Sequence, residues 1–324
     1  MLERFPDDLT AGFESARRQV AGIHRRPGAA FWFFGMGGSA VGAMLLPNLF
    51  DHPPTIQVRS ALGLKSRPPD HLLGVFVSYS GQTEETLSAY SQAGRLKLRR
   101  AAVTSGGPLQ AAADHDKVPC VMVPGGRPPR MALPFLLTAN LAIAQEVTGK
   151  PLSKDLKAAA TALNRAKPRV KKGAIETAER IIIHDGIPMV WGVTGVTKAA
   201  AYRWRTQINE NAKMLAFEHE FPELSHNEIV AACATEVPLA IVTLETPHDE
   251  PLVVRQRAHA LNIITETNPN VLHIRARARS ATRFGCVLEL VWLGDWVSYY
   301  LAKLRGMDPV GIPPIIELKR RMGQ

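Results

Sequence analysis

Hydroxyl side chains cluster in residues 75–87, where an apolar run leads into a predicted helix. Residues 74–77 have the composition of a buried parallel strand, which ends in a group of turn and hydroxyl residues: Ser78, Ser80, Gly81 and Thr83. Two glutamates then fall in the first helical turn, where unpaired N–H groups favour acids, and Thr83 or Ser80 is suited to cap the helix. N–H groups and hydroxyls would converge here on phosphate oxygens, although the same residues are also ordinary turn residues.

A second glycine turn follows the apolar stretch 29–34. Its glycines and one serine open an apolar helix: Gly35, Gly37, Gly38 and Ser39. The pattern resembles a dinucleotide fingerprint, but the next predicted strand, residues 55–58, ends at Arg59 with no clear acidic residue to bind a ribose. We therefore expect no nicotinamide cofactor. Because neighbouring parallel strands bring their loops to one sheet edge, we predict that Gly38 and Ser39 approach the ligand of the Ser78 loop.

Length and composition limit the class of protein. The chain has 324 residues, enough for two domains, and its hydrophobic fraction of 46% and charged fraction of 21% are ordinary for a soluble globular protein. The longest apolar runs, such as residues 30–34 and 189–191, are too short to span a bilayer. The N-terminus has acids and a proline where a signal peptide is basic and then apolar. We expect a cytoplasmic protein without a membrane segment.

The cysteines and the basic residues point to neither a metal nor a nucleic acid. The cysteines are odd in number, widely spaced and without histidine partners at ligand spacing: Cys120, Cys233 and Cys286. The formal net charge of +10 comes from dispersed clusters at residues 97–100, 167–172 and 275–279, with no DNA- or RNA-binding motif. Solvated surface charge or attraction of an anionic substrate explains this charge better than a nucleic-acid partner.

Strand and helix patterns alternate along the chain, in an order that repeats. A leading amphipathic helix over residues 1–28 has apolar residues at helical spacing: Phe5, Leu9, Phe13, Ala16, Val20 and Ile23. A linking helix follows at residues 151–172. In the second half, residues 190–195 correspond to residues 33–38, and the strand 239–243 stands where the Ser78 strand stood, without its serines. We predict a duplicated doubly wound α/β unit, each copy a mostly parallel sheet flanked by helices, with one surviving phosphate loop.

Five motifs together carry a family resemblance. The first half has FGMGGSA at 34–40 and SYSGQTEET at 78–86, and the second half has NENAK at 209–213, FPELSHNEIV at 221–230 and GDWVSYYLA at 294–302. The first two resemble the sugar isomerase (SIS) domain, and all five resemble the bifunctional phosphoglucose/phosphomannose isomerase family. The resemblance covers essentially the whole chain and implies two SIS domains, which we place at residues 1–152 and 153–324.

The resemblance also implies an activity. This is aldose–ketose isomerisation of a hexose 6-phosphate through a cis-enediol(ate), without metal or other cofactor, in a homodimer whose active sites take residues from both subunits. By motif, the phosphate-binding residues are Ser39, Ser78, Ser80 and Thr83, beside Gly38. The resemblance makes Arg130 the cation near the enediolate and Glu210 the base. His226 is then the ring-opening residue and Lys319 a C-terminal active-site lysine.

Chemistry supports these roles without requiring them. Moving a proton between C1 and C2 needs a base and a cation that stabilises the enediolate, as Glu210 and Arg130 would supply. Opening a sugar ring suits a histidine, whose proton exchanges near neutrality. Taken singly, each of these residues, and Lys319 near the chain end, is more simply explained as a surface or helix-terminal residue.

Some positions depart from the family pattern, and two other functions stay open. Gln82 and Ser225 each replace a common asparagine, and Val310 stands where the family often has a threonine, which bears on the mannose activity more than on the glucose activity. A non-catalytic sugar-phosphate sensor is one alternative, but such regulators usually carry a DNA-binding module, for which residues 1–28 are too short and apolar. An amidophosphosugar aminotransferase would need an N-terminal cysteine domain, and this chain begins Met1-Leu2-Glu3.

Overall fold

The computed structural model of the protein describes residues 1–20, 22–25, 28–50, 53–59, 64, 69 and 71–322. The chain forms two compact units. Unit 1 comprises Met1–Arg165 with Ser280–Gly285, and unit 2 comprises Ala166–Arg279 with Cys286–Gln324. The division falls inside two long helices, α6 (Ser153–His184) and α10 (Arg283–Leu304). The domain boundary proposed from the sequence, between residues 152 and 153, lies at the start of α6.

Unit 1 is built on a five-stranded parallel sheet. Its strands are β1 (Ala30–Phe34), β2 (Ile56–Arg59), β3 (Leu72–Val77), β4 (Arg99–Thr104) and β5 (Cys120–Met122), in the order β2-β1-β3-β4-β5. Its helices are α1 (Phe5–Arg17), α2 (Gly38–Leu45), α3 (Glu84–Arg95), α4 (Gly107–His115) and α5 (Leu133–Thr148), with short 3-10 turns at Leu2–Arg4, Leu46–Leu49 and Pro129–Ala132. All six residues of β3 are buried, as expected for a central parallel strand.

Unit 2 is built on a four-stranded parallel sheet. Its strands are β6 (Ile187–Val193), β7 (Phe217–Phe221), β8 (Leu239–Glu245) and β9 (Val271–Arg277), in the order β7-β6-β8-β9. Between and after them come α7 (Lys198–Gln207), a π-helical turn (Ile208–Ala212), a 3-10 turn (Glu223–His226), α8 (Glu228–Ala234), α9 (Pro251–Thr267) and α11 (Pro313–Arg321).

Both sheets share one topology, which confirms the predicted repeat. In each, the first strand has the second on one side and the third on the other, so β6, β7, β8 and β9 correspond to β1, β2, β3 and β4. The winding direction therefore reverses between β1 and β3, and between β6 and β8. Loops at the carboxyl ends of such strand pairs are where open α/β sheets bind their ligands.

Aromatic side chains anchor the core of unit 1 beneath these loops. The Phe34 and Phe76 rings, on neighbouring strands, stack with centroids 4.7 Å apart, and Phe76 meets Tyr90 of α3 edge-on at 5.3 Å. Each such pair contributes about 0.5–1.5 kcal/mol beyond the burial of its surface. The packing ties α3, which follows the Ser78 loop, directly to the strands that carry both loops.

Helix lengths differ from the prediction at two places. The predicted leading helix over residues 1–28 is wrong, because α1 ends at Arg17, although the six apolar residues chosen from the pattern are all buried. The chain leaves the helix because the Gln19 amide accepts from the Met122 N–H at 2.8 Å and donates to the Met122 carbonyl at 3.1 Å, which fixes it along β5. In contrast, α6 runs past residue 172 to His184, and its buried positions continue at seven-residue spacing: Leu156, Leu163, Val170 and Thr177.

Within the described ranges, one helical stretch, Pro129–Thr148, is long and apolar enough to span a membrane. It includes α5, and 78% of its apolar window is buried inside the protein. This is the burial of a core helix in a globular domain, and α1 and α2 pack against it.

Candidate active site

The glycine loop after β1 and the Ser78 loop after β3 meet at the carboxyl edge of the unit 1 sheet. Their strands are parallel neighbours, and the backbone N–H of Tyr79 donates to the Ser39 hydroxyl at 3.3 Å. A Cβ on Gly35 would lie 3.0 Å from the Val77 carbonyl oxygen, so glycine favours the close approach of the two strand ends. The prediction that both loops lie at one sheet edge is confirmed.

The Ser78 loop is a compact turn held by hydrogen bonds to its own hydroxyls. Ser78 is fully buried, and its hydroxyl lies 2.9 Å from the Thr83 hydroxyl and accepts from the Thr83 N–H at 3.4 Å. The half-buried Ser80 accepts from the Gln82 N–H at 3.2 Å. Gly81 has a φ of 69°, and a Cβ there would lie 1.8 Å from the Gly106 carbonyl oxygen, so no other residue fits.

Helix α3 begins differently from the prediction. Thr83 occupies the N-cap position, but within the described part of the chain its side chain makes no capping hydrogen bond. The predicted capping by Thr83 or Ser80 is wrong, because the Thr83 hydroxyl faces Ser78 and the Ser80 hydroxyl takes the Gln82 N–H. The first N–H groups of α3 have no acceptor within the helix, so this terminus keeps its partial positive charge for an anion.

Arg130 lies beside the glycine loop. It is 3% exposed and belongs to the 3-10 turn Pro129–Ala132, just ahead of α5. A Cβ on Gly38 would lie 3.2 Å from the Arg130 Cα and 3.5 Å from its backbone nitrogen, so the two backbones are in contact. The structure therefore brings the predicted residues of unit 1 to one edge: Gly38, Ser39, Ser78, Ser80, Thr83 and Arg130. A buried guanidinium, hydroxyls and an uncapped helix terminus suit an anionic group.

Tyr79 connects the loops at this edge and was missed by sequence reasoning. Its carbonyl accepts from the Ser105 N–H at 3.0 Å and from the Ser105 hydroxyl at 2.6 Å. Its phenol donates to the Pro124 carbonyl at 3.0 Å and accepts from the Arg127 N–H at 3.1 Å. The only sequence signal was an aromatic residue between two serines after a buried strand.

In unit 2, Glu210 lies half-buried on the π-helical turn Ile208–Ala212 that ends α7. The other residues of NENAK hold this turn. Asn209 accepts from the Ala216 N–H at 2.9 Å, and Asn211 donates to Ser298 of α10 at 2.9 Å. Lys213 closes the turn in a left-handed conformation, with φ 50°. Its ammonium donates to the Glu210 carbonyl at 2.9 Å and also to the carbonyl of Asp308.

The GDWVSYYLA motif, on α10, packs against this turn and helps to hold it. Arg203 and Asp295 form two hydrogen bonds of 2.8 Å, and both side chains are 1% exposed. Burial raises the pKa of Asp295, and the positive charge of Arg203 opposes that rise. Ser298 donates to the Asp295 carbonyl at 2.8 Å, while the position of a Cβ on Gly294 is filled by the Trp204 indole, 2.3 Å away. Glu210 thus lies on a turn that many hydrogen bonds hold in place, as the positioning of a catalytic group requires.

His226 and Lys319 lie on the surface of the single chain. His226 is exposed and is the last residue of the 3-10 turn Glu223–His226. The next residue, Asn227, caps α8 by accepting from the Glu228 N–H at 2.6 Å. Lys319 belongs to α11, whose nine residues are all described and none of them buried. Val310 is 59% exposed, in a turn where the Asp308 carboxylate accepts its N–H at 2.9 Å.

Comparison with known proteins first establishes the class. Residues 171–322 match the family model described as the bacterial phospho-glucose isomerase C-terminal SIS domain. The whole fold resembles the crystal structure of a hypothetical protein from Thermus thermophilus, with a TM-score of 0.76 and 16% identity, over 100% of this chain and 90% of that chain. The two parallel sheets, the family-model match to an SIS domain and the fold similarity together define a protein of two SIS-type domains. In each sheet, loops follow the carboxyl ends of the strands, where such folds bind ligands.

Sequence relatives then narrow the class. A bifunctional phosphoglucose/phosphomannose isomerase from Caldicellulosiruptor bescii is 31% identical, over 90% of this chain and 88% of its own length. One from Aquifex aeolicus is 32% identical, over 90% of this chain and 89% of its own length. The chain belongs to the bifunctional phosphoglucose/phosphomannose isomerase family.

Proposed function

We propose that this protein is an aldose–ketose isomerase that interconverts glucose 6-phosphate and fructose 6-phosphate, and also acts on mannose 6-phosphate. The observation that carries the proposal is the edge of unit 1, where an uncapped helix terminus, a cluster of loop hydroxyls and a buried arginine occur together. The activity for which the relatives are named supplies the reaction. The proposal includes a cytoplasmic location, which the globular α/β fold supports.

In this proposal the sugar phosphate binds at the start of α3. Its oxygens accept from the first N–H groups of the helix and from the hydroxyls at positions 39, 78, 80 and 83, and Gly38 lets the backbone approach. The Ser39 hydroxyl already accepts from the Tyr79 N–H, so its own proton is free to be donated outward. A dianionic phosphate gains from both the helix dipole and these charge-assisted hydrogen bonds.

Glu210 then moves the proton. In the aldose-to-ketose direction its carboxylate removes the C2 proton, and the electrons of that C–H bond form the double bond of a cis-enediolate with negative charge on the C1 oxygen. The proton of the C2 hydroxyl then moves to the C1 oxygen, the C2 carbonyl forms, and Glu210 returns its proton to C1. Arg130 stabilises the charge that develops on oxygen. The π-helical turn that carries Glu210 is pinned by Asn209, Asn211 and Lys213, which supports a base held in one position. No metal or other cofactor takes part in this proposal.

His226 opens the sugar ring, and Lys319 completes the active site. Both are exposed in the single chain, which supports the proposal that sites are shared within a homodimer. Except for Met1, every large hydrophobic side chain that is exposed among the described residues belongs to unit 2, and three of them lie on α11: Ile315, Ile316 and Leu318. Three exposed apolar side chains on one short helix, none of whose residues is buried, support α11 as part of an interaction face.

A coupled assay with each hexose 6-phosphate, run with a chelator, tests the proposed function. We expect turnover of glucose 6-phosphate and fructose 6-phosphate that the chelator does not affect, and slower turnover of mannose 6-phosphate because Val310 replaces a common threonine. In deuterated water, fructose 6-phosphate should give glucose 6-phosphate with deuterium at C2. Binding of these sugars without turnover would instead support the sensor, and activity restored by a divalent metal after chelation would contradict the cofactor-free mechanism.

A further inference from the structure

We propose that Tyr79 is a positioning residue that couples the phosphate loops of unit 1 to Arg130. The inference rests on the proposed function, in which the loops bind the phosphate and Arg130 stabilises the enediolate. Tyr79 lies between Ser78 and Ser80, is 5% exposed, and has no part in either of these roles itself.

The polar groups of Tyr79 bind three other segments of the chain. The backbone N–H donates to Ser39, in the first turn of α2 after β1, at 3.3 Å. The backbone carbonyl holds Ser105 of the loop after β4, through both its N–H and its hydroxyl. The phenol holds the loop after β5 at two points, the Pro124 carbonyl and the Arg127 N–H. One residue of the phosphate loop therefore fixes the chain after β1, β4 and β5 at the carboxyl edge that the candidate site uses.

A short, conformationally restricted segment joins Arg127 to Arg130, so a shift of Arg127 is transmitted to Arg130. The two residues between them are Pro128 and Pro129, whose rings fix φ and leave the connection few conformations. At its far end the segment abuts the glycine loop, since a Cβ on Gly38 would lie 3.2 Å from the Arg130 Cα. The phenol therefore acts on Arg130 through two residues of restricted backbone.

The same loop has a second anchor that does not involve Tyr79. The Arg127 guanidinium donates to the buried Asp8 carboxylate at 2.6 Å and lies 4.7 Å from the Phe135 ring centroid. Loss of the phenol hydroxyl therefore leaves the loop attached and the protein folded, but removes the tie between this loop and the phosphate loop. The expected consequence is poorer placement of Arg130 in the transition state, with little change in phosphate binding, because the backbone hydrogen bonds of Tyr79 remain.

The test compares Tyr79→Phe with Tyr90→Phe. Tyr90 is a matched control, because it is 3% exposed, lies in the same unit, and its hydroxyl also donates to a backbone carbonyl, that of Ala112 at 3.4 Å. We expect Tyr79→Phe to lower kcat about tenfold with KM changed less than about twofold, as for a small misplacement of a catalytic group. Tyr90→Phe should leave both constants unchanged. Thermal unfolding of both variants shows whether stability alone accounts for the difference.

A double-mutant cycle with Arg130→Lys shows whether Tyr79 acts through Arg130. If it does, Tyr79→Phe should change kcat less than about twofold in the Arg130→Lys background. An equal fall in kcat in both backgrounds, or an unchanged kcat in Tyr79→Phe with only a lower melting temperature, would overturn the inference. An inactive wild-type enzyme would contradict the proposed function itself, so the two failures are distinguishable.

Discussion

The loops after β3 and β8 occupy the same place in two copies of one fold, but their chemistry is opposite. The loop after β3 presents hydroxyls and an uncapped helix terminus, with no acid before Glu84. Strand β8 ends with Glu245, and the loop after it contains Asp249 and Glu250. In unit 2 the chain's own carboxylates therefore take positions where unit 1 is suited to receive an anion from outside.

Hydrogen bonds at the end of β8 show how completely these carboxylates are used. Glu245 is 6% exposed and accepts from Arg275 at 2.8 and 2.9 Å and from Arg277 at 2.9 Å. Asp249 accepts from the Thr246 hydroxyl at 2.8 Å and from Arg257 at 2.7 Å. Burial favours a raised pKa for Glu245, but hydrogen bonds from Arg275 and Arg277 outweigh it and hold the pKa below its usual value.

The comparison shows that two copies of one fold carry different groups at equivalent loops. A second phosphate at the end of β8 would meet carboxylates that are already paired, and like charges repel at this range. Unit 2 therefore provides a structural charge cluster there, while its candidate catalytic residue, Glu210, lies on a different loop. Four predictions test this division of roles.

The largest effect is expected at the base. Glu210→Gln keeps the shape of the side chain and removes the carboxylate, so kcat should fall by about 10² to 10⁴, with KM within a few-fold. Steady-state kinetics on fructose 6-phosphate measures this, with the exposed Glu266→Gln of α9 as the control. A near-normal kcat in Glu210→Gln would show that Glu210 is not the group that transfers the proton.

A matched pair of threonines tests the two loops directly. Thr83→Val removes a hydroxyl from the unit 1 loop and should raise KM about 5- to 100-fold, because a charged acceptor loses one donor worth about 1 to 3 kcal/mol. Thr246→Val makes the same change in the unit 2 loop and should leave KM unchanged. If Thr246→Val raised KM as much as Thr83→Val, the phosphate would not be assigned to unit 1.

Removal of Glu245 tests the structural part of the comparison. Glu245→Gln should lower the free energy of unfolding by about 2 kcal/mol, less than for a fully buried pair, because the side chains of Arg275 and Arg277 are 53% and 54% exposed. Urea denaturation measures the loss, and Arg279→Gln, exposed on the same stretch, is the control. Unchanged stability together with an altered KM would indicate that unit 2 does contact the substrate.

The smallest effect concerns His273, beside this cluster. Burial lowers the pKa of His273 to about 4, although the negative charge of Glu245 acts to raise it. In the unfolded chain the pKa of a histidine is about 6.5. The unfolded state therefore binds more protons between these values, and stability should fall by about 1 kcal/mol from pH 7 to pH 5, discounted for partial exposure. His273→Asn should reduce this pH dependence of unfolding, and an equally steep dependence in the variant would place its origin elsewhere.

The sequence predicted the parts of the molecule that depend on local pattern. Buried strands, the loops that end them and the repeat are visible as apolar runs followed by glycine and hydroxyl residues, and the structure confirms that the Ser39 and Ser78 loops meet. The roles assigned to Glu210, His226, Arg130 and Lys319 came from motifs and remain predictions.

Features that depend on distant contacts were missed. The end of α1 is set by hydrogen bonds from Gln19 to Met122, more than a hundred residues away in the chain. The Thr83 hydroxyl turns away from its helix because Ser78 is its partner, and Tyr79 acquires its importance only once four segments of the chain have met. Nothing in the composition of NENAK distinguishes a π-helical turn from a continuing α-helix.

That turn makes the length of the segment as important as its composition. A π-helical turn holds one residue more than the α-helix that would span the same rise, and each residue of an α-helix is rotated by about 100° from the last. Deleting a single residue between Gln207 and Lys213 would let the helix run on regularly and would point the carboxylate of Glu210 in another direction. Loop shortening intended to stabilise this enzyme should therefore leave the segment intact, because its extra residue determines the direction of the Glu210 carboxylate.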